Sequence, residues 1–306
     1  MFLFYFIPLI FAPMRLILLG TLTVFLFSAC EKDISVHVQT SVPQLVVEGI
    51  IENNNYPQVI LTHSLNYFSS IDSLTLINMY VHDATVSVST GVKTMELKEQ
   101  KAFSPSGAEY YVYRPELGQP GDLFKGKSGE TYTLQISTDN KTYKAVTSIP
   151  LTGMHLDSLW ATKVLLDNDT TKVRLWARIT DNPTSNNYVR YFTKVNRRPF
   201  LPSLNSVIDD HIVNGTTFEI PLDAGVDRNT KPDPVTYALF SRGDTITLKF
   251  CNIDNSTWDF WRTVDYAFNT NGNPFSSPTR IIGNVNGALG YWGGYEVSYK
   301  TIYIRK

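Results

Sequence analysis

The sequence predicts a mainly β protein: an N-terminal immunoglobulin-like antiparallel β-sandwich over residues 44–150, then a second β-rich domain over 151–306 with one amphipathic helix. Three observations carry this expectation. Short runs rich in Val, Ile, Thr and Tyr recur at roughly ten-residue spacing, as in a sandwich of short strands. Apolar and polar residues alternate strictly in Thr85-Val86-Ser87-Val88-Ser89 and in Tyr132-Thr133-Leu134-Gln135-Ile136, which puts one face of each strand on a core. Only Ser256–Asn269 leaves the period of two for one near 3.6.

In chain order, the expected strands of the first domain are 45–51, 59–65, 84–90, 94–98, 110–114, 131–137 and 142–148. Turn residues separate them: Asn53-Asn54-Asn55, Ser106-Gly107, Ser128-Gly129 and Asp139-Asn140. Pro150 cannot donate to a central ladder and Gly153 breaks the next run, so the domain boundary is placed there. Beyond it, strands are expected at 173–180, 188–195, 218–222, 245–251 and 296–305, joined by longer connections rich in Asn, Asp and Pro. In the expected helix, Ser256 and Asp259 resemble a capping box. Trp258, Trp261, Val264, Ala267 and Phe268 fall on one face, which must cover something apolar.

Composition narrows the class further. With 306 residues, 43% of them hydrophobic and 18% charged, the chain is neither a disordered tail nor a disulfide-stapled miniprotein. Its 27 basic and 28 acidic residues leave a net charge of −1, so no positive field attracts nucleic acid.

The apolar residues are unevenly spread. Met1–Ala29 holds one charge, Arg15, followed by the apolar run Leu16–Phe27 and the small residues Ser28 and Ala29. A positive residue, a short apolar run and small residues before a cut site make a signal peptide over 1–29. Phe27-Ser28-Ala29-Cys30 resembles the bacterial lipobox, in which cleavage leaves Cys30 to carry diacylglycerol and an acyl chain such as palmitate. Met14-Arg15 makes a normal start by itself, so translation is expected to begin at Met14. The polar stretch 30–43 then reads as a tether. Two or three acyl chains hold a protein on a bilayer without a spanning helix, at about 0.8 kcal/mol per buried CH₂. With Cys30 lipidated, Cys251 has no disulfide partner and reads as a small structural residue in phase with Thr245, Thr247 and Lys249.

No catalytic signature stands in the chain: there is no G-x-S-x-G elbow, P-loop, G-x-G-x-x-G or H-E-x-x-H. The expectation is therefore no enzyme, no cofactor and no metal. Asp209-Asp210-His211 precedes the turn signal Asn214-Gly215 and reads as a solvated loop. Asp167-Asn168-Asp169 lacks the Gly and distal Glu of a calcium loop and reads as a hairpin turn. For ligand binding the candidates are Tyr291, Trp292 and Tyr295, which Gly293 and Gly294 could present as rings on a loop. Against this, Tyr295, Val297, Tyr299, Thr301 and Tyr303 alternate like a strand with one face on a core.

Cys30-Glu31-Lys32-Asp33-Ile34, the block Pro43–Ile51, Asn273-Pro274-Phe275-Ser276-Ser277-Pro278 and the block Gly283–Gly293 together resemble the Bacteroidota lipoprotein family called domain of unknown function 4249. The resemblance implies an outer-membrane, lipid-anchored protein of β-rich domains, often encoded beside TonB-dependent receptors, with no established activity. The expected role is accessory to such a receptor in nutrient capture, with the membrane and the receptor as partners. The alternative is a glycan- or peptide-binding surface lipoprotein using the Tyr291/Trp292/Tyr295 platform.

Overall fold

A computed structural model describes residues 42–65, 72–104, 107–118, 122–151, 153–166, 169–183, 186–273, 275–277 and 279–306. The expected signal peptide over 1–29, Cys30 and the expected tether up to residue 41 lie outside the described residues, as do Asp167 and Asn168.

The fold is mainly β, with a large mixed sheet, a smaller sheet and two described helices. The strands are β1 (Leu45–Glu52), β2 (Gln58–His63), β3 (Thr85–Ser89), β4 (Thr94–Phe103), β5 (Glu109–Arg114), β6 (Thr131–Thr138), β7 (Lys141–Ser148), β8 (Met154–Lys163), β9 (Lys172–Asp181), β10 (Tyr188–Val195), β11 (Leu201–Asp209), β12 (Thr217–Leu222), β13 (Phe240–Ser241), β14 (Thr245–Ile253) and β15 (Leu289–Tyr303). The helices are α1 (Ser73–Asn78) and α2 (Asn255–Thr270). Eleven strands join in the order β11-β10-β14-β15-β1-β2-β5-β4-β3-β6-β7, while β9 pairs with β8, β12 and β13 in the smaller sheet.

The long ladder folds over on itself at β4. Its first residues, Thr94–Leu97, pair with β3, whereas Lys98–Phe103 pair with β5. The corner lays β3, β6 and β7 across β1 and β2 as a sandwich. Val47, Ile51, Val59 and Leu61 then share one core with Val86, Val88, Leu134, Ile136 and Ala145. All these strands alternate inward and outward as their sequences require.

In the second half, β14 has apolar residues on both faces near its end. Ile246, Leu248 and Phe250 point into a core shared with Leu175, Ala177 and Ile179 of β9. Cys251 and Ile253 point the other way, beneath α2, with Phe260, Tyr291 and Tyr295. One face of this half therefore carries the small sheet and the other carries the helix.

Residues beyond Pro150 extend both the large sheet and the core of the first half. β15 returns to pair in parallel with β1, Val46 opposite Leu289 through Glu52 opposite Tyr295, and also pairs antiparallel with β14. Val285 and Trp292, far along the chain, fill the first core. The purely antiparallel pairing expected of the first half fails at this one junction, because a parallel partner must come from a distant segment that no local pattern announces.

Several elements differ from the sequence reading for local reasons. β8 was not expected, because a register shift between Leu156 and Ser158 interrupts its alternation. β11 carries Pro202, and its pairing with β10 shifts between Arg190 and Phe192, which hides the period. α1 is too short for a helical period; its start is capped by Asp72, which accepts from the Thr75 N–H at 2.7 Å. α2 begins one residue earlier than expected and is capped by Asp254, whose Oδ1 accepts from the Thr257 N–H at 2.8 Å. Its Oδ2 accepts from the Thr147 hydroxyl at 2.6 Å and the Ser148 N–H at 3.0 Å. One carboxylate thus caps the helix and ties it to β7, which a local capping-box reading of Ser256 and Asp259 could not foresee.

Candidate functional site

Tyr291, Trp292 and Tyr295 lie in β15 and not on a loop, and their side chains are all buried. Trp292 is 0% exposed, with its indole N–H donating to the Tyr132 carbonyl at 3.1 Å. Tyr291 and Tyr295 face the helix: Tyr291 stacks on Phe260 with ring centroids 4.4 Å apart, and the Tyr295 hydroxyl accepts from the Trp261 indole at 2.9 Å. The neighbouring glycines serve close packing and not ring display. A Cβ on Gly294 would stand 2.5 Å from the Ser148 carbonyl oxygen, and one on Gly290, whose φ is +94°, would stand 1.9 Å from that of Val47. The alternation further along β15 leaves the core instead: beyond Val297 the helix no longer covers that face, and Tyr299 and Tyr303 are exposed.

Beside these rings sits a buried arginine. Arg190 places its guanidinium 3.2 Å from the centroid of the Trp261 ring and 4.6 Å from that of Phe192, and its Nε donates to the Ser206 hydroxyl at 3.3 Å. Ser206 in turn donates its N–H and hydroxyl to buried Asp265 at 2.9 and 3.0 Å, and Asp265 pairs with Arg228. Burial pushes the Tyr291 phenol well above its ordinary range and raises that of Tyr295. Both hydroxyls therefore stay neutral at physiological pH, and burial also raises the pKa of Glu48, the register partner of Tyr291, against the opposing pull of Arg190.

The remaining candidates are structural or solvated. Asp209 ends β11 and accepts from the His211 N–H at 3.1 Å, within an exposed turn; its neighbour Asp210 is buried and accepts from the Asn187 N–H at 2.7 Å. Asp169 accepts from the Thr171 N–H at 2.7 Å, an arrangement of a turn. Among the described residues, no group of three or more His, Cys, Asp or Glu side chains is arranged to hold a metal ion. No described helix is long and apolar enough to cross a membrane.

Cys251 is fully buried under α2, and burial pushes its thiol from 9.0 up to about 12. The folded state keeps a proton that the unfolded chain releases. The stabilisation is therefore complete below pH about 9 and is lost as pH rises from there towards 12. Tyr191, raised from 10.0 to about 12 by burial, adds to the same loss. Urea midpoints are expected to be level to pH 9 and to fall above it, and Cys251→Ala should remove the earliest part of the fall. Iodoacetamide at pH 8 should leave Cys251 of the native protein unlabelled; rapid labelling without unfolding would contradict its burial.

One surface does present itself. At the start of β1, where the described chain begins, Pro43, His63 and Leu65 line a hollow with Thr75 and Asn78 of α1 and with Met79, and Val42 just before it is exposed. Leu74 is 70% exposed, Leu76 46% and Ile77 42%. Leu74 and Ile77, three residues apart, lie on the same side of this six-residue helix, and both are exposed.

The family model described as "Domain of unknown function (DUF4249)" matches residues 31–301. The chain belongs to this family. The DUF4249 match begins directly after Cys30 and runs into β15, so it takes in both sheets, both helices and the parallel junction of β1 with β15. The Gly283–Gly293 block supplies that junction: Asn284 accepts from the Trp292 N–H and donates to its carbonyl, both at 2.8 Å, and folds the segment back on itself. A comparison with curated proteins gives no match.

Proposed function

We propose that this DUF4249 protein is a cell-envelope lipoprotein without catalytic activity, anchored in the outer membrane through lipid on Cys30, that assists a TonB-dependent receptor in nutrient capture. The observation that carries the reading is the set of exposed aliphatic side chains, Val42, Leu74 and Ile77, near Pro43, where the described chain begins. Val42 stands twelve positions after Cys30, a reach of at most ~40 Å, so a lipidated Cys30 would keep these side chains within that distance of the bilayer surface. Exposed aliphatic side chains held there suit contact with a membrane-embedded partner better than contact with water.

Detergent extraction and affinity purification of the full chain test the proposal. A large outer-membrane β-barrel receptor is expected to copurify with the wild-type protein without added ligand. Leu74→Asp combined with Ile77→Asp should abolish the association while leaving the melting temperature unchanged. Copurification undiminished in that variant, or no receptor with the wild type, would overturn the reading. Cys30→Ser should move the protein from the membrane to the soluble fraction.

A further inference from the structure

We infer that a cleft at the far end of the β1–β2 hairpin is a binding site for a neutral oligosaccharide. β1 and β2 run antiparallel, Leu45 opposite His63 at the tether end and Ile50 opposite Gln58 at the other. At about 3.3 Å per residue the cleft lies ~20–25 Å along the hairpin from Leu45 and His63. The cavity has a volume of about 560 Å³, the size of a small-ligand site.

Its polar groups are unspent. Arg114 donates through Nη2 to the Gln58 side-chain oxygen at 2.9 Å, but its Nε and Nη1 have no acceptor among the described residues. Among the described residues, Gln58 has no acceptor for its amide nitrogen, Gln100 no donor to its side-chain oxygen and Asn55 none to its Oδ1, since Asn55 uses only Nδ2, towards Glu52 at 3.2 Å. The second cavity, about 690 Å³ at the seam near Pro150, is the contrast. There Asn252 accepts from the Met154 N–H at 2.9 Å and donates to its carbonyl at 3.1 Å, and both oxygens of Asp254 are occupied. A cleft whose polar atoms are consumed by the fold stabilises it; one whose donors and acceptors remain open offers them to a ligand.

Charge selects the ligand class. Glu52 is neutralised by Lys249 of β14, and the lining balances Arg114 against the exposed Glu116. Neither a cation nor an anion gains from entering. What remains is a set of planar amide, guanidinium and carboxylate groups that give and take hydrogen bonds side by side, as vicinal hydroxyls require. Pro57, Pro115 and Leu117 supply apolar wall for the C–H faces of a sugar ring.

Calorimetric titration of the full-length protein in detergent with neutral tetrasaccharides (gluco-, xylo-, manno- and galacto-configured), a tetragalacturonate and a tetrapeptide tests this. At least one neutral sugar is expected to bind, with Arg114→Ala and Gln100→Ala each weakening it at least tenfold at an unchanged melting temperature. Hydrogen-exchange protection by the bound sugar at residues 52–58 and 114–117 of the wild type reads the same site without a variant. No binding by any neutral sugar, tighter binding of the uronate or the peptide, or protection elsewhere would overturn the assignment. These outcomes do not depend on whether a receptor copurifies.

Discussion

Trp292→Ala is expected to destabilise the protein by about 3–5 kcal/mol, the cost of removing a fully buried tryptophan from a core that cannot collapse around the void. Trp292 sits where β15 meets β1, among Val47, Leu134 and Tyr132, so its ring joins the returning C-terminal strand to the N-terminal sandwich. The space is made for it: a Cβ on its register partner Gly49 would stand 2.7 Å from the indole ring. The substitution also leaves the buried Tyr132 carbonyl without the indole donor. Trp292→Phe keeps most of the volume and loses the hydrogen bond, so a smaller cost of about 1–3 kcal/mol is expected. Urea unfolding followed by circular dichroism measures both; a cost below about 1 kcal/mol for the alanine variant would show that the ring is not a packing element of that junction.

The second large effect is expected at Asp265. Its carboxylate is buried between α2 and β11, accepts twice from Ser206 and pairs with Arg228. Asp265→Ala leaves a largely buried guanidinium and a buried backbone N–H without their acceptor, at a cost of about 3–5 kcal/mol. Replacing both partners, Asp265→Leu with Arg228→Met, should recover much of that loss, because no unpaired charge remains. A double-mutant cycle on urea midpoints measures the coupling. Equal losses in the single and double variants would mean that the hydrogen bonds to Ser206, and not the ion pair, hold the helix end.

The strands of the sandwich were legible because each buries one face against one core, and a single buried face writes a period of two into the residues: Val86 and Val88, then Tyr132, Leu134 and Ile136. α2 was legible for the same reason at its own period, although its most buried residues are Thr257, Phe260, Thr263 and Asp265, with Trp258 and Trp261 flanking them. For Tyr291, Trp292 and Tyr295 the sequence left two readings, rings on a loop opened by Gly293 and Gly294 or one face of a strand on a core, and the fold takes the second. In the fold, Gly290 and Gly294 are required where β15 passes close to the carbonyls of β1 and β7. Polar burial was equally silent: nothing local marks Arg190 or Asp265 as interior, since each is satisfied by groups remote in the chain. The cleft escaped notice because its walls, Asn55, Gln58, Gln100 and Arg114, come from three strands and a turn.

Local pattern alone settled the β-rich class, the place of the long helix and the family, since periodicity, turn chemistry and motif spacing act between near neighbours. The tertiary structure decided that β15 closes the sheet on β1, that the aromatic candidates are core, and that the open polar groups gather at the hairpin's outer end. Those outcomes depend on pairings between residues as much as 243 positions apart, such as Val46 with Leu289, and a contact of that range leaves no periodic trace in either segment.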